Sequence, residues 1–184
     1  MKSISSLAII AVLLFACKLC SLTGTNNPVV SSPTPTPTPR PLLYAGDLIK
    51  QQLGTFTLVK HTTREEMRKA ARGFGSTLLD KSNDAGVGEY RSDKTQTVSL
   101  WVFSFSTRQT VDAAMEEFEK DMRRSKQWTL VNTNTTERGK RLESLGVFKG
   151  KSSGMVLWNN GQWLFMTLGP GLSEARSLAD AVGY

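Results

Sequence analysis

The sequence predicts an α+β domain: a mostly antiparallel sheet with an Asn-Gly hairpin, covered by about three helices. Three observations carry this prediction. Thr97 to Phe105 places Val98, Leu100 and Val102 on one parity and Trp101, Phe103 and Phe105 on the other, the pattern of a strand buried on both faces. Asn160-Gly161 lies between Met155-Val156-Leu157-Trp158 and Gln162-Trp163-Leu164-Phe165-Met166, so two apolar runs are joined by a pair that tolerates the positive φ of a tight hairpin. Val111 to Arg124 gathers Val111, Ala114, Met115, Phe118 and Met122 on one helical stripe, leaving Asp112, Glu116, Glu119, Lys120 and Arg123 outside it.

The remaining elements follow in order. Ala45 to Leu53 reads as a short helix, and Thr55 to Lys60 alternates like a strand. Thr62 with Glu65 and Thr63 with Glu66 are overlapping capping boxes, after which Met67, Ala70, Ala71 and Phe74 recur at helical spacing. That helix is expected to fray at Gly73 and Gly75, and Asp80 to Gly88 reads as a polar loop before a short strand opening at Glu89-Tyr90-Arg91. Trp128 to Thr133 and Leu142 to Phe148 are further strands. Asn160 and Gly161 are both expected at positive φ, with Trp158 and Trp163 as near-opposite partners on one face. Gly169-Pro170-Gly171 ends the hairpin, and Leu172, Ala175, Ala179 and Val182 mark a closing helix. Residues 42 to 184 form one domain on this reading, large enough to fold without staples.

The first twenty residues have a different character. Lys2 precedes an apolar run from Ile4 to Ala16, and those thirteen residues fall short of the ~20 that span a bilayer core. A charged start, a short hydrophobic region and a small residue before a break are the layout of a secretion signal. Leu14-Phe15-Ala16-Cys17 resembles the lipobox of bacterial lipoproteins, with Phe15 where that family prefers a smaller side chain. The resemblance covers the leader alone. It implies that residues 1–16 are a signal peptide, that Ala16 precedes the cut, and that Cys17 carries the lipid, palmitate-type acyl chains anchoring the protein outside the cytoplasm. An uncleaved anchor carrying Lys18 and a plain secreted protein are the alternatives.

Residues 17–41 then form the lipidated cysteine and its stalk. Pro33, Pro35, Pro37 and Pro39 alternate with threonine, and each ring fixes φ and withholds a donor, favouring an extended spacer. At ~3 Å per residue, Pro28 to Pro41 reaches roughly 40 Å. Cys17 and Cys20 are the only cysteines, so the domain beyond them has no disulfide, thiolate zinc site or cysteine nucleophile.

Apparent catalytic motifs fail on spacing. Gly150-Lys151-Ser152 lacks the upstream glycine of a phosphate loop, Leu145 standing there instead. Asp80-Lys81-Ser82-Asn83-Asp84 opens like a calcium loop but has Ala85 at its sixth position and Arg91 at its twelfth. Gly73-Phe74-Gly75 lacks the third glycine of a dinucleotide fingerprint. His61 is the sole histidine, and no Gly-x-Ser-x-Gly elbow accompanies it. No cofactor, metal or catalytic residue is expected.

The charge balance points outward. The formal net charge is +7, and removing residues 1–16 takes away Lys2 alone, leaving +6. Arg64, Arg68, Lys69 and Arg72 fall on the first capped helix, while Lys120, Arg123, Arg124 and Lys126 gather at the end of the second. Such residues attract an anionic surface by about 1 kcal/mol each; in the competing reading they complement helix dipoles and keep the surface soluble. Nucleic acid is not expected, because the tryptophans do not interleave with the basic runs. Trp158 and Trp163 are expected to serve as a core pair, with at least one of them buried, and are candidates for an exposed aromatic platform if they face solvent. The functional expectation is a surface-anchored extracytoplasmic binding module of the cell envelope, contacting an envelope protein or anionic polymer. The alternative is an envelope-associated hydrolase with catalytic residues the sequence does not reveal, which a carboxylate within hydrogen-bond reach of His61 in a concave pocket would favour.

Overall fold

Eight strands pair into one antiparallel sheet, and the chain enters it by two meanders whose last strands meet in the middle. In the computed structural model, which describes residues 43–70, 74–93, 96–148 and 150–183, a 3₁₀ turn at Ala45–Leu48 opens the fold. The first meander comprises β1 (Gln52–Leu53), β2 (Phe56–Thr63), β3 (Asp84–Arg91) and β4 (Thr97–Ser104), with α1 (Arg64–Ala70) and α2 (Phe74–Lys81) between β2 and β3. Helix α3 (Arg108–Arg124) crosses to the second meander: β5 (Trp128–Thr136), β6 (Gly139–Phe148), β7 (Lys151–Asn160) and β8 (Trp163–Gly169). Helix α4 (Leu172–Val182) closes the chain. The spatial order is β1-β2-β3-β4-β8-β7-β6-β5, so β4 and β8 are central while β1 and β5 are the edges. Residues 1–41, read above as signal peptide, lipidated cysteine and stalk, and Arg72 lie outside the described residues.

Two cores follow from the alternation of β4. Phe103 and Phe105 face Met67, Leu78, Val111, Met115 and Phe118, so α1, α2 and α3 share one side of the sheet. Val98, Leu100 and Val102 face Ala45, Leu48, Ala175 and Leu178, which puts the 3₁₀ turn and α4 on the other. The stripe read on α3 is its buried face, although the helix begins earlier, at Arg108, because Thr107 accepts a cap bond of 3.2 Å from the Thr110 amide.

The expectation of a sheet covered by about three helices is corrected. Among the described residues this is a sheet-dominated fold in which eight strands outweigh four α-helices, and the helices pack over only part of each face. Strand spacing gives the reason: seven gaps at ~4.8 Å make the sheet about 34 Å wide, against a helix diameter of about 10 Å. The helices therefore cover each face in part: α3 reaches β5 on one side, while on the other α4 meets β6 at its Glu143 end.

Three local expectations also change. The polar loop assigned to Asp80–Gly88 is helix up to Lys81 and strand from Asp84, and its glycines are there for close approach. A Cβ on Gly88 would lie 2.6 Å from the Tyr90 ring and 2.8 Å from Ile49, so only glycine lets the N-terminal turn lie flat on β3. The short helix expected to Leu53 stops at Leu48, since Gln52–Leu53 pairs with Phe56–Thr57 as a strand. Of the two expected capping boxes, Thr63 with Glu66 shows the carboxylate half, Glu66 accepting from the Thr63 amide at 2.9 Å and from its hydroxyl at 3.1 Å.

The hairpin turn is one residue later than expected. Asn160 pairs with Trp163, making Gly161 and Gln162 the central residues, with Gly161 at φ 60° and Asn160 the last residue of its strand. The same register sets Trp158 opposite Phe165, with their rings stacked at 5.2 Å, so Trp163 is a diagonal neighbour on the same face. Trp158 is buried in the α4-side core and Trp163 packs half-buried against it.

Two stability changes follow. Gly161→Val forces a β-branched residue into the left-handed region and should cost about 1–2 kcal/mol. Trp158→Ala should cost about 3–5 kcal/mol. Denaturant melts check both, and overlay of the Trp158→Ala curve on the parent would contradict the stacked, buried geometry.

Candidate functional site

β5 is the long open edge of the sheet. It pairs with β6 alone, and its outer side meets no strand among the described residues. Its nine residues, Trp-Thr-Leu-Val-Asn-Thr-Asn-Thr-Thr, contain no charge and no proline, and all but Trp128 and Leu130 are exposed. Natural sheets usually blunt such an edge with charges, proline or brevity. Here one irregularity between Leu130 and Asn132 is the only device of that kind in the strand. The opposite edge is different, because β1 is two residues long and Lys60 lies in the part of β2 beyond it.

An apolar strip adjoins this edge. Of six large hydrophobic side chains that stand exposed among the described residues, Val131, Leu145 and Val147 belong to β5 and β6. Alternation along β6 sends Leu142 into the α3-side core, so Glu143, Leu145 and Val147 emerge on the face that carries α4. Leu145 pairs with Thr129 of β5 and Gly154 of β7. Helix α4 packs chiefly on β7 and β8, and it reaches only the Glu143 end of β6.

A buried carboxylate marks the border of the bare region. Glu143, with its side chain 6% exposed, accepts from Arg176 of α4 at 2.5 and 3.1 Å, from Arg141 at 3.1 Å and from Asn132 of β5 at 3.3 Å. Arg141 also donates to Asp180 of α4 at 2.9 Å. Burial pushes the Glu143 carboxyl up, but the hydrogen bonds from Arg176 and Asn132 and the charges of Arg176 and Arg141 outweigh it and hold it below the ordinary carboxylate value. On the other face, Glu119 of α3 pairs with Lys140 of β6 and with Arg123. Hydrogen bonds from Lys140 and Arg123 lower its carboxyl too.

The residues named from sequence scatter. Arg64 is no surface contact: its guanidinium donates to the carbonyls of Asn83, Ser82 and Leu79 at 2.5, 2.6 and 3.1 Å, capping the end of α2. Arg68 and Lys69 are exposed on the last turn of α1, with Lys69 beside Glu65. Arg123 is bound to Glu119, and Arg124 is exposed without a salt bridge among the described residues. As an open platform the tryptophan pair is corrected, since Trp158 is buried under α4. His61 is exposed on β2 opposite Gly88, and among the described residues no carboxylate hydrogen-bonds to it. Asp84, the last residue of the calcium-like run, accepts from the Ala45 amide at 2.8 Å.

Val131, Leu145, Val147 and the edge of β5 were missed by sequence reading. A signal existed in the uncharged run from Trp128 to Thr136 and in the parity of Glu143, Leu145 and Val147. What it lacked was the strand order, without which an edge looks like any other strand.

Comparisons with protein-family models, with curated proteins and with solved structures found no match to this chain. Among the described residues no helix is long and apolar enough to cross a membrane.

The carboxylate clamp makes the fold acid-sensitive in a stated window. Because its folded value is depressed, Glu143 contributes in full above the ordinary value of 4.5, and the contribution is lost as pH falls through the lower folded value. Glu143→Gln should cost about 1–3 kcal/mol at neutral pH and flatten the decline below pH 4.5. Thermal melts at a series of pH values check this, and an unchanged acid slope in the variant would remove Glu143 from that role.

Proposed function

We propose that this chain is a surface-anchored, extracytoplasmic interaction module of the cell envelope, held by a lipid on Cys17, spaced by the Pro/Thr stalk, and binding its partner through the β5–β6 end of the sheet. One observation carries the reading. The longest open edge and three of the six large hydrophobics exposed among the described residues share that end, and on the face of Leu145 and Val147 helix α4 stops at the Glu143 end of β6. Apolar surface clustered beside unpaired backbone donors and acceptors is costly to leave in water, and it gains most from a partner that offers both.

The arrangement suits binding at a distance from a membrane. A tethered domain meets partners within reach of its stalk at raised effective concentration, so even modest affinity suffices. The net charge of +6 that remains after removal of residues 1–16 adds attraction toward anionic envelope components.

Two measurements test the proposal. Fatty-acid labelling should be lost in Cys17→Ser and kept in Cys20→Ser, whereas labelling that persists in Cys17→Ser removes the anchor. Affinity capture from the envelope fraction by the full chain should yield partners that Leu145→Lys with Val147→Lys no longer retains. Both side chains are already about half exposed, at 42% and 48%, so the double variant should fold with a Tm close to the parent's. Identical capture by parent and variant would move the binding surface elsewhere.

A further inference from the structure

The chemistry of the β5 edge narrows the partner, on the footing that the interaction-module reading holds. β5 carries no charge over nine residues, yet cations stand at both of its ends. Arg124 and Lys126 precede it and Arg138 follows it in the turn to β6. All three are exposed, and none forms a salt bridge among the described residues. Glu137 is the one acidic residue in that turn. Between the ends, the strand spans ~27 Å at 3.4 Å per residue.

An edge of this composition selects an occupant. Its unpaired amides and carbonyls pair with any extended backbone, its threonines and Val131 favour β-branched cross-strand neighbours, and its ends favour carboxylates. A helix cannot use the backbone groups, and a polyanion alone leaves the uncharged centre unmatched. We infer that β5 is the acceptor edge for an extended peptide of another protein. The peptide's uncharged, β-branched centre adds as a ninth strand beside Thr129–Thr136, and its acidic ends meet Arg124 and Lys126 on one side and Arg138 on the other. Leu145 and Val147 lie one strand further in, across β5 from the added strand, on the α4 face.

The test uses the full chain in detergent and a synthetic probe, Glu-Asp-Thr-Val-Thr-Val-Thr-Val-Thr-Asp-Glu with blocked termini. Titration should show saturable binding, at least tenfold weaker for the same peptide ending in lysines and at least tenfold weaker when alternate amides on its pairing side are N-methylated. Amide exchange of β5 should slow on binding. Because alternate amides of an edge strand point outward, one of Thr133→Pro and Asn134→Pro should keep the parent's melting temperature and still lose binding tenfold. Equal binding by the methylated peptide overturns strand addition while leaving attraction to the basic rim, and with it the broader reading, intact. Absence of binding by the acidic probe overturns the inference, and so does an edge already occupied by a second copy, seen as a dimer in sedimentation that Thr133→Pro or Asn134→Pro dissociates. Failure of the interaction-module reading itself shows in the envelope capture.

Discussion

The pairing of β4 with β8 holds the rest of the structure in place. Each is the last strand of its meander, and Ser99 to Ser104 against Leu168 to Trp163 is the register that turns two sheets of four into one of eight. Both strands are apolar on both faces, so the seam is buried from either side: Phe103 with Leu164 under α3, and Val102 with Phe165 under α4. A slip of one residue would exchange the two sets and send each into the wrong core. The helix following each strand crosses back over the seam, and this is how one pairing determines where both α3 and α4 lie.

Width then decides what the helices leave bare. Helix α4 is tied to the centre by Thr167, whose hydroxyl donates to the Ala175 carbonyl at 2.7 Å, and to β6 by the Glu143–Arg176 and Arg141–Asp180 pairs. A carboxylate in that buried position is tolerated only with its lone pairs satisfied, and Arg176, Arg141 and Asn132 do so from α4, β6 and β5. The clamp therefore joins the covered part of the sheet to its open end. Beyond it Leu145 and Val147 have no helix to meet, and the exposed strip is a consequence of geometry as much as of composition.

Folding and use pull in opposite directions at β5. An uncharged nine-residue edge is a liability in a free chain, and a charge on Thr133 or Thr135 would protect it at little cost. The cations are instead placed at its ends, where they leave the ladder positions open to an incoming backbone.

By itself the sequence determined the elements whose signal is local. The double alternation of Thr97–Phe105, the stripe of α3 and the Leu172–Val182 helix were all legible, because each face is written in the spacing of neighbouring residues. Local chemistry misled where a distant partner overrules it. Gly86 and Gly88 read as loop because the reason for them, Ile49 and the N-terminal turn lying flat on β3, is some forty residues away; Arg64 reads as a surface cation because its acceptors are carbonyls at and just past the end of α2. Only the tertiary structure decided which strands are central and which are edges, and hence that β5 and β6 present the candidate site. Strand order is set by which buried faces fit together across the whole sheet, and no window of sequence contains that comparison.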